Sequence, residues 1–249
     1  MTHGVIIFEG MKVGVMPGDF TMEINEQGVL DKKIVLSTAY NVLPLWIRSA
    51  SDQMHLARIA SESIRTKWSA NDDSNRELLI AELEPCMQVF VACGIALDAL
   101  YDQLRPYTKL TGSELKSWRK NGTARAKQIT EAARRVYKLD KKLTAQFKQN
   151  ITAIMEYRGK AVHPSFKLQQ TCTRPDVPVG VDWKFSAYKF SNAERCFRAT
   201  MEMLICLYER KCSIPEVVAE MDRVFAALQE LKVVTLNCPT VEGNESLPT

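Results

Sequence analysis

The run Leu79-Ile80-Ala81-Glu82-Leu83-Glu84-Pro85-Cys86-Met87-Gln88-Val89-Phe90-Val91-Ala92-Cys93-Gly94-Ile95-Ala96-Leu97-Asp98-Ala99-Leu100 decides the fold class. Within the stretch from Arg76 to Leu104, Leu79, Ile80, Leu83, Cys86, Met87, Phe90, Val91, Gly94, Leu97, Leu100 and Leu104 recur at steps of three and four residues. That period belongs to a helix with a broad apolar face. Ala92, Cys93, Gly94 and Ala96 are small enough to let a neighbouring helix approach closely, so this helix is expected at the centre of a bundle.

Working outward, further helical patterns flank it. On the N-terminal side, Ala39, Val42, Leu43, Trp46, Ile47, Ala50, Met54, Ala57, Ile64 and Trp68 mark a long helix with Ser37 as its N-cap and Pro44 in its first turns, closed by a turn at Asn71-Asp72-Asp73-Ser74. On the C-terminal side, Pro106 and Gly112 bracket a break, and Ser113 to Lys138 reads as a basic helix interrupted at Asn121-Gly122. After a turn at Leu139-Asp140, Leu143, Phe147, Ile151, Ile154, Met155, Arg158 and Val162 share one helical face. Residues 164–190 form a long connection in which Asp182 to Tyr188 alternates like a short strand. Ser191 with Glu194 has the spacing of a capping box and opens a further helix. Pro215 stands at the first turn of the last one. Residues 1–35 carry short β-prone runs (Val5-Ile6-Ile7-Phe8, Lys12 to Met16, Phe20 to Ile24) punctuated by glycine and Pro17-Gly18. The fold class expected is mainly α: a helical bundle over 36–235 with a small N-terminal β-hairpin element in 1–35 and a disordered tail in 236–249.

A hydrophobic fraction of 46% and a charged fraction of 25% are those of an ordinary globular chain with enough apolar mass for a core. The cysteines (Cys86, Cys93, Cys172, Cys196, Cys206, Cys212 and Cys238) are odd in number, without C-x-x-C spacing, and mostly within apolar helical stretches. This points to a reducing, cytoplasmic setting without a disulfide framework. The first residues lack the basic and apolar regions of a signal peptide. The longest uncharged run, Pro85 to Leu97, is short for a bilayer span, so no membrane is expected as partner. His3, His55 and His163 are not at metal-ligand spacing, and neither a Gly-rich phosphate loop nor a nucleophile elbow is present, so no metal or cofactor is expected.

The charge is unevenly spread. Between Arg105 and Lys160 fifteen cations face four carboxylates, so an overall net charge of +4 divides into +11 there and −7 elsewhere. A concentration of this kind suits a polyanion. The candidate contacts are Lys116, Arg119, Lys120, Arg125, Lys127, Arg134, Arg135 and Lys138, with Trp118 and Tyr137 able to stack on bases. This basic stretch leads into Glu156-Tyr157-Arg158-Gly159-Lys160-Ala161-Val162-His163-Pro164. Arg158 sits on an apolar stripe, where a guanidinium needs a partner. Pro164 is expected to end the helix and leave the His163 imidazole at a turn.

An arginine, four intervening residues and a histidine at the end of an apolar helix, followed by proline, resemble the motif of the HEPN superfamily, the higher eukaryotes and prokaryotes nucleotide-binding domain. The small-residue helix around Ala92 to Leu100 resembles the helix it packs on, and the likeness covers about residues 75–230. Arg48 and His55 also have the arginine–histidine spacing, but lie on one helix face without a following proline. The position after the arginine, often asparagine in the family, is Gly159. The resemblance implies a helical bundle and metal-independent endoribonuclease action on RNA, in a toxin or host-defence setting. It also implies a homodimer, with an antitoxin or other partner protein. By the same resemblance His163 would serve as general acid or base and Arg158 would hold the scissile phosphate. Two other readings fit the same residues: an HEPN-like module that binds RNA or protein without cutting, and a helical interaction scaffold with no nucleic-acid role.

Overall fold

The structure, a computed structural model, describes residues 6–7, 11–24, 27–28, 30–69, 73–163 and 165–233, with only the backbone for 31–33. The expected runs at Val5 and Phe8, the tail over 236–249, Pro164 and Cys238 lie outside it. Among the described residues the chain is mainly α. The helices are α1 (Leu43–Lys67), α2 (Asn75–Leu104), α3 (Gly112–Lys120), α4 (Arg125–Tyr137), α5 (Lys141–Val162), α6 (Trp183–Ala187), α7 (Phe190–Arg210) and α8 (Pro215–Glu230). The strands are β1 (Met11–Gly14), β2 (Phe20–Ile24), β3 (Leu30–Ile34), β4 (Ser37–Tyr40), β5 (Cys172–Arg174) and β6 (Val177–Val181).

The central run does become the hub. α2 packs against α1, α4, α5 and α7, and Cys86, Val89, Phe90, Cys93, Ala96, Leu97 and Leu100 are buried in the main core cluster. From Asn75 to Tyr107 the chain is long and apolar enough to cross a membrane by length and composition, and half of that window is buried inside the fold. Ile80, counted on the core face, is exposed, and so is Val162 in the last turn of α5. α1, α4, α5, α7 and α8 also line the core, with Leu43, Ile47, Ile129, Leu204, Leu207, Phe225 and Leu228 fully buried.

Several local expectations are corrected. Ser37 does not cap α1; it begins β4, and α1 starts at Leu43 with Pro44 in the first turn. Asn41 takes the capping role: its Oδ1 accepts from the Leu43 N–H at 3.0 Å while its Nδ2 donates to Glu220 Oε1 at 2.9 Å. The proline costs nothing there because first-turn N–H groups have no helical acceptor. The alternating run Asp182 to Tyr188 is a short helix, not a strand, because the Asp182 carboxylate accepts from the Lys184 N–H at 2.9 Å and caps α6. The strands of this region are β5 and β6, an antiparallel pair. Ser191 is not an N-cap either; α7 begins at Phe190, whose N–H donates to the buried Glu82 of α2 at 3.1 Å. A carboxylate 108 residues away has replaced the local capping box.

The basic helix divides as its Asn-Gly step suggests, with Gly122 at φ +54° between α3 and α4. Thr111 and Glu114 form a capping box at the start of α3. Arg210 of α7 donates to the carbonyls of Tyr137 (3.3 Å) and Lys138 (3.4 Å), closing the C-terminal end of α4.

Near the N-terminus the strands form two separate antiparallel pairs. β1 pairs with β4 (Met11 with Tyr40 through Gly14 with Ser37) and β2 with β3 (Phe20 with Ile34 through Ile24 with Leu30). The register shifts between the two pairs because residues 15–19 loop out on one strand, held by the Met16 N–H on Asp19 and the Val35 N–H on the Asp19 carbonyl. Lys12 of β1 meets Glu220 of α8 at 2.9 Å.

Candidate functional site

α5 ends at Val162 and His163 is its C-cap, with its N–H on the Gly159 carbonyl at 2.9 Å. The imidazole is exposed, and among the described residues it has no side-chain hydrogen bond or ion pair. Arg158 faces inward. Its Nη2 lies 3.5 Å from Asp98 Oδ2 on α2, its side chain is 33% exposed, and its buried Nε has no protein partner. Five residues along a helix correspond to a rotation of about 140°. Arg158 and His163 therefore leave α5 in different directions, one toward α2 and the other toward solvent.

Asp98 is shared. Its Oδ1 accepts from Arg125 Nε at 2.7 Å, and the Arg125 guanidinium stacks 3.9 Å from the Tyr101 ring centroid and reaches Asp102 at 3.5 Å. One expected RNA contact, Arg125, and one expected catalytic residue, Arg158, are thus brought together on a single carboxylate. Asp98 was not singled out from the sequence, because no local pattern tells which helix will dock against it; its partner Arg125 stands 27 residues away. Gly94, one turn before it, carries the stem of Arg158: a Cβ there would lie 2.8 Å from Arg158 Cγ, 3.1 Å from its Cβ and 3.2 Å from its Cδ. Gly94→Ala is therefore expected to destabilise the protein by about 1–3 kcal/mol through forced separation of α2 and α5. An alanine inside a helix otherwise stabilises by up to about 1 kcal/mol. Urea denaturation checks this; a more stable variant would refute the close packing.

The remaining cations divide into two groups. Arg134 and Arg135 both hold Glu131 (2.7 Å each), and Arg135 also holds Glu114 of α3. Lys116, Arg119, Lys120, Lys127 and Lys138 are exposed, and none has a carboxylate within ion-pair distance among the described residues. Lys116, Arg119 and Lys120 share one face of α3. Lys127, Arg134 and Lys138 line one face of α4 at spacings of seven and four. Tyr137 is buried and unavailable to stack on a base, and Trp118 is half-buried against the core. Arg48 pairs with Asp52 at 3.7 Å on the solvent face of α1, and His55 is exposed there.

The hydrogen bond from Arg134, working against partial burial and aided by Arg135, holds the Glu131 carboxyl near 2, below its ordinary value of 4.5. Glu114 is held near 2 as well, by Arg135 and by the Thr111 backbone N–H. A carboxylate lowered by folding stabilises the fold fully above its ordinary value and ceases to do so as pH falls through its lowered one. The melting temperature is therefore expected to fall between pH 4.5 and about 2, and Glu131→Gln to flatten that part of the curve. An unchanged slope in the variant would show that the Arg134–Glu131–Arg135 bonds do not persist in solution.

Beside α5, on the side of Tyr157, an open groove of about 470 Å³ runs along α7. It is floored by Phe90 and Tyr157, which stack at 5.1 Å, and edged by Gln146, Asn150, Arg195 and Arg198. None of its lining residues comes from α3 or α4. Among the described residues no cluster of histidine, cysteine and carboxylate side chains could hold a metal ion. No protein-family model matches the chain, and no curated protein or solved structure matches it.

Proposed function

We propose that this chain is an HEPN-like protein of the cytoplasm that binds RNA through α3 and α4 and cuts it without a metal. The observation that carries this reading is the set of five exposed cations, Lys116, Arg119, Lys120, Lys127 and Lys138, left without carboxylate partners on the helices that lead into α5. Phosphates would displace counterions from them, so affinity should fall steeply with salt. At the end of α5 the exposed imidazole of His163 is free to take the proton of a ribose 2′-hydroxyl. The 2′-oxygen then bonds to the adjacent phosphorus, the bond to the 5′-oxygen breaks, and that oxygen leaves with a proton. The products are a 2′,3′-cyclic phosphate and a 5′-hydroxyl, so no water or metal-bound nucleophile is consumed. Arg158, one-third exposed and steadied by Asp98, would spread its positive charge over the phosphate. Because Arg158 and His163 diverge on one helix, a second copy would supply the complementary residue to the same strand.

The test is incubation of the purified chain with structured and single-stranded RNA in excess chelator, reading the fragment ends. Cyclic phosphates support the proposal; intact RNA at micromolar protein overturns cleavage. A second reading, binding without cleavage, is favoured by the engagement of Arg158 with Asp98 and by Gly159 in place of a polar residue. It predicts salt-sensitive RNA binding with no fragments under the same conditions.

A further inference from the structure

The groove between α5 and α7, about 470 Å³ in volume, has the size of a small-molecule site, which spans about 300–1,000 Å³. Its aromatic floor is braced from beneath. The buried Tyr188 ring stands edge-on to both floor rings, 5.5 Å from Phe90 and 6.0 Å from Tyr157, and its hydroxyl donates to the Tyr157 carbonyl at 2.8 Å. On the α7 side Asn192 supplies a fixed acceptor. Its Nδ2 donates to the carbonyls of Ser186 (3.2 Å) and Ala187 (3.0 Å), which leaves Oδ1 without a partner among the described residues. On the α5 side Asn150 lines the groove with an amide that holds no hydrogen bond among the described residues. Arg195 is exposed at the rim, with no carboxylate within ion-pair distance among the described residues. Three residues on, Arg198 reaches Glu202 at 3.7 Å, and both side chains are mostly exposed.

We propose that this groove binds a small planar ring that carries one carboxylate and a ring N–H. Aromatic rings gain from offset and edge-to-face contacts with one another, so a planar ring laid on Phe90 and Tyr157 gains more than an aliphatic chain of equal area. The ring N–H answers Asn192 Oδ1, and the free Asn150 amide can serve either a donor or an acceptor on the ring edge. Charge selects the anion. Arg198 and Glu202 cancel, and Arg195 leaves one positive charge, which a carboxylate balances. A phosphate monoester, at about −1.5 to −2, would bring too much negative charge. A guanidinium also grips a carboxylate through two parallel N–H donors. Like charges three residues apart on a helix are neighbours and repel, so an anion beside Arg195 relieves its repulsion with Arg198. The groove shares no residue with Arg158, His163, α3 or α4, so this site does not depend on the RNA reading.

Isothermal titration of the full chain with indole-3-acetate tests it, with indole-3-acetamide as the uncharged control and adenosine monophosphate as the phosphate control. Indole-3-acetate is expected to bind one site per chain with a dissociation constant of about 1 mM or tighter. The amide should bind about tenfold more weakly or worse, and Arg195→Gln should weaken the acetate by about the same factor, since each removes a charge-assisted hydrogen bond. Ala153→Trp, which fills the groove from an exposed position on α5, should abolish binding without lowering the melting temperature. No heat of binding from indole-3-acetate at about 5 mM overturns the proposal, as does equal binding of the amide or undiminished binding by folded Ala153→Trp. Tighter, Arg195-dependent binding of adenosine monophosphate would assign the groove to a phosphate and equally overturn the carboxylate. Should Ala153→Trp fail to fold, amide chemical shifts of the wild-type protein decide: changes on adding indole-3-acetate that cluster on α5 and α7 support the site, and changes elsewhere overturn it.

Discussion

Arg174→Ala is expected to cost about 3–5 kcal/mol of stability, because it leaves a buried carboxylate without its cation. For a chain of this length that lowers the melting temperature by roughly 6–20 °C. The Arg174 side chain is 0% exposed and Glu82 is 1% exposed. Nη1 lies 2.8 Å from Glu82 Oε2 and donates to the Phe185 carbonyl at 2.9 Å, while Nε and Nη2 grip Asp176 as a fork, Nε at 2.9 Å. Burial works to weaken the charge on Arg174, and the two carboxylates more than restore it, raising its affinity for the proton above the ordinary value. Burial and the neighbouring Glu82 also push the Cys86 thiol well up, so it stays protonated and inert.

The same cluster fastens three segments at once: the β5–β6 hairpin, α6, and the start of α7, whose Phe190 N–H is satisfied by Glu82. Removing the arginine therefore strands a charge and also loosens the chain that follows α5. Replacing both members, Glu82→Leu with Arg174→Met, should recover much of the loss, since the unpaired charge, not the missing attraction, carries most of the cost. Urea denaturation of the single and double variants checks both statements. A single-variant loss below about 1 kcal/mol would mean that water reaches Glu82.

His163→Ala is expected to lower RNA cleavage by about 10²–10⁴-fold, the usual contribution of a positioned acid or base. Stability should stay within about 0.5 kcal/mol, because an exposed side chain with no bonds holds nothing together. RNA affinity should also be unchanged, because the proposed phosphate contacts are made by other side chains, on α3 and α4 and at Arg158. Separate readouts of cleavage, melting temperature and binding make the result specific: only a catalytic imidazole moves the first and leaves the other two in place. Cleavage that survives the substitution would remove His163 from the chemistry.

Periodicity located the helices well. α2 was expected from Arg76 to Leu104 and spans Asn75–Leu104; the break at Asn121-Gly122 and the end of α5 at His163 were also readable. Where the reading failed, a distant residue had taken over a local role. Ser191 has cap chemistry, but Glu82 reaches the Phe190 N–H first. Ser37 has it too, yet Ser37 is spent in a strand against Gly14. Asp182 to Tyr188 alternates over too few residues to separate a strand from one turn of helix. Of the candidate site, the exposure of His163 at a helix end followed from Pro164 and the chain around it. The ties of Arg158 to Asp98 and Gly94, and the neutralisation of Arg125, Arg134 and Arg135, did not.

The amino-acid order by itself determined where the helices run, which faces are apolar and where the positive charge is concentrated, because each depends on spacings of three or four residues or on composition. Which cation meets which carboxylate was decided only by the tertiary structure. Arg125 and Asp98 stand 27 residues apart and Phe190 and Glu82 stand 108 apart. Pairings over such separations arise when helices dock, and dock they must to bury α2, so no local pattern announces them.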